Sequence, residues 1–204
     1  MSLKWLPNAV TIMRCVLAIL VGFVILNMHT RLEAGQAAGL WLFIPFALFT
    51  FTAATDWLDG VLARGLDAES AFGARLDPIA DKLLTASSLL ALAHTEGWSL
   101  FLALPTLAIV GRDVLLTAMR EALGNPSGMK VSNAAKWKTA IALAAIGCVL
   151  FGFAICELTH YAERYAPLWV LTRSVLLAGL AGIWLAAIMS IMTAIDYVAA
   201  AAKA

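Results

Sequence analysis

Six stretches of about 20 mostly apolar residues divide this chain, at residues 9–27, 39–56, 79–94, 100–119, 134–156 and 171–195. A helix of that length crosses the hydrocarbon core of a bilayer and satisfies its own backbone hydrogen bonds there. The expected fold is an all-α membrane protein with six transmembrane helices, forming a single domain over residues 1–204. Charge content agrees: 13% of residues are charged, against about 25% in a soluble domain. A water-soluble chain of this size could not cover so much apolar surface. The third stretch is short, with Asp81 and Lys82 at its start, and is expected to extend toward Asp77. The first is longer than a signal-peptide core and reads as a retained helix. Cys15, Cys148 and Cys156 lie scattered in apolar surroundings and read as small buried hydrophobes.

Six spans place alternate loops on the same side. One side then receives Lys4, Arg14, Arg64, Arg75, Lys82, Arg112, Arg120, Lys130, Lys136, Lys138 and Lys203, while the other receives Arg31, Arg164 and Arg173. The bias of basic residues toward the cytoplasm puts both termini there. His29, His94 and His160 all fall on the outer side, so cytoplasmic chemistry would not use histidine. Trp5, Trp41, Trp98 and Trp169 sit near helix ends, as an interfacial belt requires. Runs of small residues such as 140–145 suit close helix packing in lipid.

The chemistry gathers where the second stretch ends and the third begins. Asp56 and Asp59 are three apart, with Gly60, Ala63 and Arg64 following; Gly73, Asp77 and Asp81 come after a further eight residues. Each aspartate pair shares a helical face. Pro78 suits a first helical position, with Asp77 as cap. A lone aspartate here would read equally well as a helix cap. Four at this spacing, with charge costly near hydrocarbon, point to function. Converging carboxylates need a counter-charge. The all-oxygen donor set favours Mg²⁺ or Mn²⁺ over zinc, and two ions would bridge a diphosphate. The small residues let a bulky ligand approach the backbone.

This segment resembles the signature of the CDP-alcohol phosphotransferases, D-x-x-D-G-x-x-A-R, eight residues, then G-x-x-x-D-x-x-x-D. Asp56, Asp59, Gly60, Ala63, Arg64, Gly73, Asp77 and Asp81 fill every position. The resemblance implies that Asp56, Asp59, Asp77 and Asp81 hold two divalent ions. It implies that Asp59, Gly60, Ala63, Arg64 and Gly73 seat the CDP-lipid, and that Asp81 is also the general base. The acceptor hydroxyl then attacks the phosphorus attached to diacylglycerol, and CMP leaves.

A second basic group, Arg112, Arg120, Lys130, Lys136 and Lys138, lies on the same side. Such residues suit a phosphorylated acceptor, although basic loops also serve only to fix topology. Residues 6–14, 111–121, 130–132 and 136–139 resemble the matching segments of bacterial members that use glycerol 3-phosphate. One departure is Arg112-Asp113, where those members often read Arg-Glu. The resemblance makes Arg112, Arg120, Lys136 and Lys138 the acceptor phosphate site. It implies phosphatidyl transfer from CDP-diacylglycerol to glycerol 3-phosphate, by a homodimer in the bacterial cytoplasmic membrane, with the bilayer as partner and no nucleic acid. Inositol phosphate, serine or phosphatidylglycerol as acceptor, an intramembrane prenyltransferase and a cation pathway are the alternatives.

Overall fold

All six apolar stretches are helical. The computed structural model describes the backbone of residues 6–36, 39–63, 73–122, 133–160 and 166–201, and side chains within 11–36, 39–55, 79, 82–119, 137–158 and 169–195. The helices are α1 (Leu6–Glu33), α2 (Ile44–Ala63, entered through a short 3₁₀ turn at Gly39–Phe43), α3 (Gly73–Thr95), α4 (Leu100–Ala122), α5 (Asn133–His160) and α6 (Ala166–Ala201). Among the described residues, four contain stretches long and apolar enough to cross a membrane: Thr11–Glu33, Leu100–Met119, Trp137–Leu158 and Trp169–Ile195. Gly39–Thr55 is apolar but shorter. The chain is a multi-pass helical membrane protein.

α3 starts a turn earlier than the sequence suggests. Asp77 is therefore inside the helix rather than its cap, and Pro78 lies in the second turn. As the sixth residue of the helix, Pro78 lies past the N-terminal N–H groups that have no intrahelical partner, so it removes the bond to the Ala74 carbonyl.

Cross-helix contacts fix the up-and-down order. At one end Lys82 of α3 meets Thr117 of α4, Lys138 of α5 meets Asp113, and Arg112 meets Thr193 of α6. At the other end α1, the 3₁₀ turn, α3 and α5 surround a cavity of about 390 Å³ with His29, Glu33, Glu96 and Glu157 among its lining residues. The start of α1 and the end of α6 thus point to the same end, the one that holds Lys82, Arg112 and Lys138. His29 and His94 fall at the opposite end, as expected, and His160 lies outside the residues with described side chains. Trp41, Trp98 and Trp169 are exposed near the ends of their helices, consistent with a headgroup-level belt.

α3 is the least apolar helix, yet one face of its described length is buried. Leu84, Thr85, Ser88, Leu89, Leu92 and Ala93 are buried, with α1, α2, α4 and α5 packed around them. Shielding by other helices lets α3 carry serine, threonine and lysine where a lipid-facing helix could not. The Ser87 hydroxyl donates to the Ala18 carbonyl of α1 at 2.6 Å. Gly22 permits that approach, since a Cβ there would lie 3.2 Å from the Ser87 carbonyl oxygen. The tight α3–α4 connection follows from Gly97, whose φ of 61° suits a residue without a side chain. Its N–H donates to His94 and that of Trp98 to Ala93, closing α3, while the Ser99 carbonyl accepts from Leu102 and Ala103 to open α4. The outer surface carries Phe23, Leu107, Leu177 and Ile188, all exposed, as lipid contact allows.

α5 and α6 form the most extensive helix pair, and glycines bring them together. A Cβ on Gly179 would lie 3.0 Å from both the Ala145 carbonyl oxygen and the Val149 nitrogen; on Gly152 it would meet the Leu176 side chain at 2.7 Å. Backbone cannot yield as a leucine side chain can. Gly179→Ala is therefore expected to cost about 1–3 kcal/mol through overpacking, partly offset by a helix-propensity gain of about 1 kcal/mol. Gly152→Ala should cost less. Thermal unfolding in detergent checks the ranking, and a larger loss for Gly152→Ala would contradict it.

Candidate active site at the charged end of the bundle

The signature residues straddle the α2–α3 junction. Asp56, Asp59, Gly60 and Ala63 occupy the last two turns of α2, and Gly73, Asp77 and Asp81 the first turns of α3. The two helices touch. Arg64 lies outside the described residues, and the side chains of Asp56, Asp59, Asp77 and Asp81 lie outside those described. What the backbone gives is the placement. Lys82, one residue beyond Asp81, reaches Thr117 at the end of the bundle that holds Arg112 and Lys138.

At that end α4, α5 and α6 build a cluster around one carboxylate. Asp113 Oδ1 accepts from Arg112 Nη1 at 2.8 Å and from Lys138 Nζ at 2.7 Å. Side-chain exposures are 14% for Arg112, 13% for Asp113 and 4% for Lys138, so this is a partly desolvated ion cluster rather than a solvated surface pair. Arg112 Nη2 donates to Thr193 Oγ1 of α6 at 3.0 Å. Lys82 Nζ donates to Thr117 Oγ1 at 2.7 Å and lies 3.5 Å from the Asp113 carbonyl oxygen, which also accepts from the Thr117 hydroxyl at 2.7 Å. Two cations on one carboxylate leave the Arg112–Asp113–Lys138 trio with a surplus positive charge. Arg112 Nε is buried without a hydrogen-bond partner. Such a locus attracts an anion, and a guanidinium beside an ammonium suits a phosphate.

Of the four expected acceptor-site residues, Arg112 and Lys138 come together, although both are engaged by Asp113 rather than left open. Arg120 lies on α4 and Lys136 on α5, but their side chains lie outside those described. The structure adds Asp113, Lys82, Thr117 and Thr193 to the residues that the sequence assigns to this site. Asp113 had carried a signal, a carboxylate inside an apolar run. Its partners are 25 residues away and one residue away, and only the first reveals a tertiary link.

The signature's donor set fits a hard divalent cation: four carboxylates, with no histidine or cysteine among the motif positions. Among the described residues, no group of three or more His, Cys, Asp or Glu is arranged to hold a metal, so no competing centre arises there.

Helix ends that carry the four signature aspartates lie at the same end of the helical bundle as a buried basic cluster, the arrangement expected of a membrane-embedded phosphotransferase. The chain belongs to the CDP-alcohol phosphatidyltransferase family, whose model matches residues 4–200. It is 32% identical over 218 aligned residues to the CDP-diacylglycerol–glycerol-3-phosphate 3-phosphatidyltransferase of Cereibacter sphaeroides, covering 96% of this chain and 95% of that protein. A protein of the same name from Haemophilus influenzae is 29% identical, with 94% and 90% covered. The cardiolipin synthase (CMP-forming) of Oryza sativa subsp. japonica is 33% identical over a shorter match, 62% of this chain and 46% of that protein. Family membership makes the chain a transferase and removes the prenyltransferase and cation-pathway alternatives.

The cluster geometry sets an order of stability. Lys138→Met leaves Arg112 paired with Asp113 and is expected to cost less than about 3 kcal/mol. Asp113→Leu leaves two buried cations facing each other and is expected to cost about 3–5 kcal/mol. Thermal unfolding of the purified variants tests this ranking; equal losses would show that Asp113 does not hold the cluster.

Proposed function

We propose that this enzyme transfers the phosphatidyl group of CDP-diacylglycerol to sn-glycerol 3-phosphate, releasing CMP and giving phosphatidylglycerol phosphate. The observation that favours a phosphorylated acceptor is the Arg112–Asp113–Lys138 cluster, two cations on one carboxylate near the aspartate-bearing start of α3; it does not by itself separate glycerol phosphate from inositol phosphate. A phosphorylated acceptor offsets the surplus charge; serine does not. The names of the relatives from Cereibacter sphaeroides and Haemophilus influenzae support glycerol 3-phosphate.

In this reading Asp56, Asp59, Asp77 and Asp81 would hold two Mg²⁺ or Mn²⁺ ions, which would offset the charge of the diphosphate. Asp59, Gly60, Ala63, Arg64 and Gly73 seat the CDP group. Arg112, Arg120, Lys136 and Lys138 bind the acceptor phosphate. Asp81 takes the proton of the acceptor hydroxyl as its oxygen bonds to the phosphorus bearing diacylglycerol. The bond from that phosphorus to the bridging oxygen breaks, and CMP departs with both electrons. α3, shielded by its neighbours, and α2 with its 3₁₀ entry complete six membrane crossings. Both termini and the charged end face the cytoplasm of a bacterial inner membrane. The enzyme works as a homodimer, and its lipid substrate enters sideways from the cytoplasmic leaflet.

The deciding experiment is CMP release by the purified protein with CDP-diacylglycerol and Mg²⁺, comparing glycerol 3-phosphate, inositol phosphate, serine and phosphatidylglycerol. Release only with glycerol 3-phosphate is expected. Release with phosphatidylglycerol alone would transfer the reading to the reaction named for the rice relative. Asp81→Asn should lower kcat by about 10²-fold or more, as loss of a general base does, while donor binding survives in part. Arg120→Ala should raise KM for the acceptor roughly tenfold and leave KM for the donor nearly unchanged.

A further inference from the structure

We infer that Asp113 is a positioning residue that joins the acceptor-binding cations to the aspartate-bearing helix, with Lys82 as the link; the inference rests on the acceptor reading above. Asp113 serves two groups of contacts at once. Its carboxylate fixes Arg112 and Lys138, from α4 and α5, on a single oxygen at 2.8 and 2.7 Å. Its backbone carbonyl, together with the Thr117 hydroxyl, receives the Lys82 ammonium from α3. Arg112 extends the same network to Thr193 on α6. Four helices are thereby tied at one point.

The chemistry gives this arrangement a purpose beyond stability. Arg112 and Lys138 repel each other, and an acceptor phosphate is absent before substrate arrives. Without a carboxylate between them the two side chains would separate, and each binding event would have to gather them again. Asp113 holds the two cations close together before the phosphate arrives. Lys82 adjoins Asp81 in sequence, and both lie on α3. The Lys82–Thr117 bond therefore sets the register between α3 and the acceptor cations. Phosphoryl transfer depends on that register, because the acceptor oxygen must lie in line with the leaving group.

Steady-state kinetics in detergent–lipid micelles, varying each substrate separately, tests the inference. Asp113→Asn keeps the side-chain shape but loses the charge. It is expected to raise KM for glycerol 3-phosphate about tenfold or more while KM for CDP-diacylglycerol changes less than about twofold. Asp113→Glu, which restores the carboxylate, should recover most of that loss. Lys82→Met keeps the stem and removes the link. It is expected to lower kcat about tenfold or more with little change in the acceptor KM. Equal shifts of both KM values in Asp113→Asn, or no recovery in Asp113→Glu, would overturn the positioning role. If Asp113→Asn does not fold, Asp113→Glu and Lys82→Met still decide the question: a lower kcat in Lys82→Met with near-wild-type constants in Asp113→Glu supports the link, and unchanged kcat in Lys82→Met removes it. Wild-type enzyme that ignores glycerol 3-phosphate would instead overturn the acceptor reading itself, and this inference with it.

Discussion

Charge is expensive next to hydrocarbon, and that expense orders this molecule. A charged side chain at the centre of a bilayer costs several kcal/mol, so charged groups either gather at helix ends or pair inside the protein. Both solutions are present. Arg31, Glu33, Glu96 and Arg173 lie near helix ends away from the charged cluster, with Arg173 stacked over the Trp169 ring at 5.3 Å. Arg112, Asp113 and Lys138 lie within apolar helices and pair with one another. Once the cluster is placed, the ends of α3, α4, α5 and α6 that meet there are placed with it.

Packing follows a second rule, that helices in lipid gain stability by close approach rather than by hiding from water. Gly152, Gly179 and Gly182 admit α5 and α6 to near backbone contact, and Gly22 does the same for α1 and α3. The described length of α3 packs against α1, α2, α4 and α5, which is how a helix with Lys82, Thr85, Ser87 and Ser88 is accommodated. A helix enclosed by protein need not be apolar all round. Membrane position and core position are thus separate properties, and α3 has the second without the composition usual for the first.

The two halves of the proposed chemistry come from different helices. The aspartates occupy the α2–α3 junction, while the cations come from α4 and α5. Neither set can act alone: a diphosphate held without an acceptor gives no transfer, and an acceptor phosphate held out of line gives none either. The contacts of Lys82 and Thr117 help hold α3 against α4, and they involve residues outside the aspartate signature.

Much was legible in the sequence because the relevant patterns are local. Helix number follows from runs of apolar residues, and the sorting of basic residues follows from counting along the chain. The signature from Asp56 to Asp81 spans two helix ends in one short segment, so its spacing survives as a linear pattern. Pro78 reads as a helix start, whereas α3 begins at Gly73 and carries the proline in its second turn. The role of Asp113 is not legible in the sequence because its partner Lys138 lies on another helix, and only folding brings the two within 2.7 Å. The chain's apolar runs and carboxylate spacing determined the class of fold and the chemistry. The tertiary structure decided which charges meet, which helix faces are buried and which cations share one carboxylate, because those depend on distances across helices that no linear spacing encodes.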